Sequence, residues 1–600
     1  MAIIIQREDT WWFADWRRHA AAIPGAVLRT VDAIPSWAVA LAAVLLGNWA
    51  LVLFAAQGLS TVHGDALARL NISRRMVDSL TPSFAQLGGI WLPLPQLLMA
   101  LTVGNDYMWQ TGLAGSGVSV LAFAAGTGFV HAIVRALSRS GVVALLGAAI
   151  FATNANLLFM QATPMTEPLT ILTVLGTTYH LLRWAQGRSL LHLIGSSVWV
   201  FAGSLTRYEA WVLLPVGCSA VALTALLRHR NIRQLEGLAL SWVLPAAYGI
   251  VLWVLYNWII FGDPLNFSLG PGSAKAFSEA EAAAGRLPTR HNPLYAFLTY
   301  YYATIDNTGL PLFWGAVAGL VVLAISRLSI PEKLAALVPW SIFAFEVTSL
   351  TAGQSVLWTP QLAPYDFYNV RYGLLMMPAV AVGAACLTLR LRPIALLALI
   401  TLVALQIRDV PHLAEARDAT YRMVESVSRD DSRGLSGKWI AAGLPLVRAQ
   451  LSVTLVDAVW AYEYDANGIL EAAAFLRDHA TSGKILVSAA TNDRLMFSAG
   501  LPMSRYVSEG IKPYFSQEMD SPGLHTDWIV VRPLRAFDAI RPLIRSGAPR
   551  GFVPAFQNEH YTIYERVGRL DEPGQTPAPV ARRQGHRTLI SYLADALRTS

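Results

Sequence analysis

Charged side chains are scarce in this sequence. Asp, Glu, Lys and Arg make up 14% of its 600 residues, against roughly 25% in an average soluble domain. With 54% hydrophobic residues and a mean hydropathy of +0.43, that shortage excludes an ordinary soluble chain and reads as a polytopic membrane protein. Cysteine is nearly missing: Cys218 and Cys386 both lie inside apolar runs, so neither a disulfide framework nor a Cys-based metal site is supported. There is no Walker lysine loop and no dinucleotide glycine fingerprint, which leaves ATP-driven and NAD-linked chemistry without support. No cleavable signal is expected either, because Trp11, Trp12, Trp16, Arg17 and Arg18 precede an apolar run too long for one. Residues 1–36 read instead as a cytoplasmic, interfacial segment. The net charge is +7, but the basic residues are spread over short connections, as membrane orientation requires, so nucleic acid is not an expected partner.

Long apolar runs are what the chain has in quantity. Stretches able to cross about 30 Å of hydrocarbon as helices fall near 37–57, 110–135, 141–160, 167–186, 190–206, 209–228, 240–261, 310–326, 334–352, 370–389 and 392–409. With the N-terminus inside, the connections holding Arg135/Arg139, Arg183/Arg188, Arg228/Arg230/Arg233, Arg327/Lys333 and Arg390/Arg392 are short, basic and cytoplasmic. The other face then receives the first outer loop 58–109, the loops 161–166, 262–309 (with Tyr300, Tyr301 and Tyr302) and 353–369, and the C-terminal region. After about 410 the composition changes. A helix over 469–479, strands near 484–488, 527–531, 552–554 and 561–565, and a helix near 535–546 predict a small extracytoplasmic α/β domain over 410–569. Residues 570–600 read as a linker and tail.

Polar residues beside the span ends carry the chemistry. Asp65 follows the first span closely and opens a segment with Leu67, Leu70 and Val77 at helical spacing, expected to lie along the interface with Arg69 and Arg74, both candidate ligands of a donor phosphate. A carboxylate at the membrane surface beside cations suits a base that takes a proton from an acceptor hydroxyl while a lipid-linked phosphate leaves; it also fits a plain loop acid. Gln86 to Pro95, with Trp91, Pro93 and Pro95, reads as a rigid platform leading into a second interfacial helix over 96–103. Glu167 before Pro168 is either a helix start or a second carboxylate facing Asp65, holding a divalent cation such as Mg or Mn or positioning the acceptor. No other cofactor is expected. Arg207, with Tyr208 and Glu209, and Arg371 stand against the positive-inside trend, where they suit a donor phosphate or simply snorkel. His63, Trp91, Tyr208 and Glu209 complete an expected acceptor-side cavity. Glu346, inside an apolar run, has an open role.

Taken together, Gly64-Asp65, Arg69, Gln86 to Pro95, Thr166-Glu167-Pro168, Thr206-Arg207-Tyr208-Glu209, Phe261-Gly262-Asp263-Pro264-Leu265 and Arg371-Tyr372 resemble the GT-C class of integral-membrane glycosyltransferases. The likeness is to the group of dolichyl-phosphate-mannose protein mannosyltransferases and lipid-A aminoarabinose transferases, over about 37–409. It implies an inverting transferase of the cell envelope. Its donor would be a polyprenyl-phosphate-linked sugar and its acceptor an extracytoplasmic protein, lipid or polysaccharide. Asp65 would be the base, Glu167 a second acid, and Arg207 or Arg371 the donor-phosphate ligand. Many relatives carry two adjacent acids in the first loop; here His63-Gly64 precede Asp65 and Ala66 follows, so the resemblance does not include an acidic pair. The rival readings are a secondary transporter or lipid flippase, with ionisable residues at mid-depth and repeated halves, and a non-catalytic envelope scaffold.

Overall fold

The computed structural model describes residues 30–228, 232–270, 272–427, 432–441, 452–463, 466–533, 538–545 and 547–567. Most of the interfacial segment expected at 1–36, and the linker and tail expected over 570–600, lie outside them. Helices occupy each expected span: α1 (Ser36–Ala56), then α2 (Gly64–Val77) in the first loop, α3 (Leu113–Ser138), α4 (Gly141–Ala152), α5 (Glu167–Ala185), α6 (Leu190–Ser204), α7 (Tyr208–Arg228), α8 (Ile232–Phe261), α9 (Pro293–Thr308), α10 (Leu310–Ile325), α11 (Ile330–Thr351), α12 (Val370–Leu389) and α13 (Arg392–Asp409).

The helices in the expected spans differ in length and apolarity. Among the described residues, seven helices are long and apolar enough to cross a membrane, and an eighth span arises if α9 and α10 are taken together across their 110° bend. Gly309 sits at that bend with φ +87°, a conformation that side chains with a Cβ rarely adopt. The run 141–160 breaks into α4 and Ala155–Met160, and α6 has only 15 residues. The helix α5 is less apolar because protein, not lipid, surrounds it. Its buried Thr170, Thr173, Thr177 and Thr178 hydroxyls donate to carbonyls three or four residues back. By contrast Leu45, Val52, Leu244, Ile259 and Ile394 point outward exposed, as lipid-facing positions should. The chain is an integral multi-pass membrane protein. The stretch 262–309 is no plain loop, since α9 carries Tyr300 into the interior.

The C-terminal α/β region contains α14 (Val453–Glu463), α15 (Ala466–His479), α16 (Ala489–Ala499) and a five-stranded sheet. Its strands are β1 (Ile485–Leu486), β2 (Tyr506–Val507), β3 (Trp528–Val531), β4 (Phe552–Gln557) and β5 (Thr562–Arg566), in the order β2-β1-β3-β5-β4. The pairs β1–β2 and β1–β3 are parallel, and β3–β5 and β5–β4 antiparallel. The sequence reading missed β2. Pro554 is accommodated because β4 is an edge strand with an irregular register there. Where a helix was expected near 535–546, the described residues show only the short turn Arg541–Ile544.

The first-loop helix α2 does not lie along the membrane surface as an amphipathic helix would. It is buried on most sides, with Leu67 and Leu70 in one core with Ile469, Leu476, Leu495 and Met496 of the C-terminal region. Each such side chain withdrawn from water contributes about 1.5–3 kcal/mol. Asn71 Nδ2 donates to the Asp493 carbonyl at 2.7 Å, Arg494 Nη2 to the Val62 carbonyl at 2.6 Å, and Gln86 Nε2 to the Gly510 carbonyl at 3.0 Å. The platform after α2 forms a helix over Leu94–Met99, shorter than the expected 96–103, with Pro95 in its first turn.

Candidate active site

Local sequence places each polar group at a helix start at one end of the bundle. Asp65 lies in the first turn of α2 and Glu167 opens α5 ahead of Pro168, where carboxylates meet the positive end of the helix dipole. Arg207 precedes α7 directly, and Arg371 is the second residue of α12. Just before α12, Asn369 takes a left-handed backbone conformation and anchors its amide on the Val356 carbonyl at 2.9 Å. Gly373, two residues after Arg371, lets α12 press against the Ala303 carbonyl of α9, where a Cβ would not fit.

These starts converge on Arg371. Its Nη2 donates to Asp65 Oδ2 at 2.5 Å, its Nε donates to Glu167 Oε1 at 3.2 Å, and its Nη1 lies 3.7 Å from Asp457 Oδ2 on α14. Arg207 Nη1 donates to the same Glu167 oxygen at 3.0 Å and to Thr166 Oγ1 at 3.3 Å, while its Nε and Nη2 engage Glu209 Oε1. The Tyr372 ring lies within cation–π reach of both guanidiniums, 4.7 Å from Arg207 and 5.4 Å from Arg371. Exposure singles out one member of this cluster. The Asp65 side chain is 43% exposed, whereas those of Glu167, Glu209, Arg207, Arg371 and Asp457 are 9% or less. Asp65 is therefore the carboxylate in reach of an incoming group.

Arg69 is the other distinctive member. It is buried, its guanidinium lies 4.4 Å from the Trp91 ring centroid, and its Nε and Nη1 have no hydrogen-bond partner. Burial first, and then nearby Arg207, lower its pKa to about 10, so it stays charged at neutral pH and would gain from an anion. Arg74 does not join this group. It donates to the Val103 and Gly104 carbonyls, each at 2.8 Å, and pairs with Asp78 and Asp106, fixing the segment after Met99. Tyr208 is also structural: its hydroxyl donates to the Ile90 carbonyl at 2.5 Å and accepts from Trp253 Nε1 at 3.2 Å, which holds the strip bearing Trp91. His63 is buried with Nε2 unpaired, and burial first, then Arg371, lower its pKa to about 3. It is neutral at physiological pH.

For Asp65, desolvation pulls the pKa up, but Arg371, Arg69, His63 and Arg207 together outweigh it, so the group stays below the usual carboxylate range. Asp457 goes the other way, to about 6, because burial exceeds the pull of Arg371 while Asp65 and Asp366 push upward. Asp457 escaped the sequence reading. The available signal was an acid inside the apolar run Val453 to Val459, the same cue that marked Glu346. Its folded pKa is raised, so its contribution favours the fold at low pH and is lost as pH rises from about 4 through about 6. The difference from an unfolded aspartate corresponds to about 3 kcal/mol. Asp457→Asn is expected to remove that part of the pH dependence, read as melting curves of both proteins between pH 4 and pH 8; parallel curves would contradict it. A divalent cation bridging Asp65 and Glu167 does not fit this arrangement, because the Arg371 guanidinium stands between the two carboxylates. Among the described residues no three His, Cys, Asp or Glu side chains converge as metal ligands.

Fold and site define a polytopic helical membrane protein with a C-terminal α/β region docked over a buried arginine–carboxylate cluster. No family model matches the sequence, and no curated protein sequence matches it. Among solved structures, the fold is shared with ArnT from Cupriavidus metallidurans, in a crystal structure with undecaprenyl phosphate bound. The TM-score is 0.52 at 12% identity, covering 88% of this chain and 99% of that one. The likeness extends to the C-terminal region and agrees in fold with the GT-C architecture that the sequence motifs resemble.

Proposed function

We propose that this protein is a membrane glycosyltransferase that moves a sugar from a polyprenyl-phosphate-linked donor to an acceptor hydroxyl. The observation that carries the reading is the convergence, at one end of an ArnT-like bundle, of a half-open Asp65 held by Arg371 beside the unpaired Arg69. The ArnT structure holds a polyprenyl phosphate, and the chemistry here suits such a donor. A polyprenyl chain leaves the bilayer only at about 0.8 kcal/mol per methylene, so the enzyme must meet it in the membrane plane.

In this scheme Arg69, supported by Trp91, takes the donor phosphate. The acceptor oxygen attacks the anomeric carbon, the bond to the phosphate oxygen breaks, and polyprenyl phosphate leaves with the electron pair. The acceptor proton passes to Asp65, and attack opposite the leaving group inverts the configuration. A carboxylate kept ionised by Arg371 is a modest base, adequate where the leaving group is already a phosphate. Glu167 and Arg207 position Arg371, so both act through it. The basic connections at the other end of the bundle support a cytoplasmic position for that end and, with it, an active site on the outer face of a plasma membrane. A transporter or flippase would line a path with charges through the bundle; Glu346 lies within electrostatic reach of Glu209 and Arg207, next to the cluster and not along such a path.

The test uses purified full-length chain in nanodiscs, offered polyprenyl-phosphate-linked hexoses with an envelope lipid and protein fraction as acceptor. Release of polyprenyl phosphate with labelling of the acceptor is the expected result. Turnover of nucleotide sugars in place of the lipid-linked ones would overturn the reading.

A further inference from the structure

The opposite end of the bundle holds a second site of a different kind. The helix α5 joins the two, since it starts at Glu167 and ends at Ala185, about 27 Å along its axis at 1.5 Å per residue. Around its C-terminal end opens a cavity of about 1140 Å³, lined by Arg135, Arg139, Arg183, Arg188 and Arg228 with Glu332 as the one acid. The five arginines come from the ends of three helices and the connection after α5. Orientation in a membrane explains arginines in the connections at this end. It does not explain their facing one cavity.

The hydrogen bonds divide the six into wall and ligand groups. Arg135 donates to the Ile34 and Asp32 carbonyls, and Arg228 to the Trp184 and Ala185 carbonyls, so these two tie helix ends together. The carboxylate of Glu332 is already taken, one oxygen by the backbone and hydroxyl of Ser329 and the other by Gln186 Nε2 at 3.1 Å. Arg183 Nη1 reaches Gln186 Oε1 at 3.0 Å, while its buried Nε has no partner. Arg139 and Arg188 are exposed and make no ion pair among the described residues. Arg139 moreover caps α3 in the left-handed conformation, φ 55°, a position glycine or asparagine fills more readily.

We propose that this cavity binds a phosphate group, with Arg139, Arg183 and Arg188 as its ligands. Planar guanidiniums with unspent donors match phosphate oxygens in a bidentate manner, and basic pockets between membrane helices receive lipid phosphates in this way. The volume accommodates a phospholipid head group as well as a soluble diphosphate. The proposal is independent of the transfer chemistry at the other end.

The test is binding to the full chain in neutral detergent, with phosphatidic acid followed by native mass spectrometry and inorganic pyrophosphate by thermal shift. Phosphatidylcholine serves as the uncharged-head-group comparison. Saturable binding of phosphatidic acid that weakens at least tenfold in the double variant Arg139→Gln/Arg188→Gln identifies a lipid phosphate. The same dependence seen only with pyrophosphate identifies a soluble one. Because neither side chain makes a contact that holds the fold, the double variant should melt within a degree or two of the parent. Arg327→Gln, an exposed arginine at the same end but outside the cavity, should change binding less than threefold. Binding of neither probe, or equal losses in the cavity and control variants, overturns the proposal.

Discussion

Asp65→Asn is expected to lower the turnover number by about 10²- to 10⁴-fold, the range for removing a general base, with KM for the lipid donor nearly unchanged. The geometry dictates this split. Asparagine keeps the shape and one acceptor oxygen for Arg371 but cannot take the acceptor proton, while Arg69 and Trp91 remain in place to hold the donor. Stability should change by less than about 1 kcal/mol, because the Asp65 side chain is 43% exposed and half-open pairs are screened by solvent. Arg371 also retains Glu167 and Asp457. Steady-state kinetics beside a melting curve separates these effects. Normal turnover in a normally folded variant would remove Asp65 from the chemistry.

Arg371→Gln should do more damage, and of two kinds. It leaves buried Glu167 with Arg207 alone and buried Asp457 with no ion-pair partner among the described residues, and losing one partner of a buried network typically costs about 3–5 kcal/mol. It also frees Asp65 to swing away, so activity should fall at least a thousandfold even in molecules that fold. Arg371→Lys should restore little, since one ammonium cannot reach three carboxylates from three nitrogens as this guanidinium does. The discriminating measurement is a double-mutant cycle. Adding Asp457→Asn to Arg371→Gln should recover stability, with a coupling of about 0.5–3 kcal/mol. Additivity within about 0.3 kcal/mol would show that the two side chains do not share a network.

Part of this site was legible in advance. Asp65 and Arg69 are four residues apart, one above the other on a helix, whereas Arg74 is five further on and turned about 140° away. That offset sends Arg69 to the cluster and Arg74 to Asp106, although the sequence reading gave both the same task. Arg207 and Arg371 were picked out because cations at that end run against the orientation of the others. In the structure both engage carboxylates, so the proposed scheme gives the phosphate to Arg69. Glu167 as a plain helix start and Glu167 as a functional acid turn out to be compatible, because the first residue of α5 is also the contact point of two arginines.

What the sequence determined by itself was membrane residence, the places of the helices, the α/β character of the C-terminal region and most members of the site. Each of these follows from short-range regularities: the length of an apolar run, a period of 3.6 or 2, a proline in a first turn. The tertiary structure alone decided which charges meet. Arg371 joins Asp65 across 306 residues, and Asp457 arrives from α14 further still, because packing of α9 against α12 and docking of α16 on α2 bring those ends together. In a low-dielectric interior a carboxylate must find its cation wherever the chain folds it, and no local pattern encodes that partner.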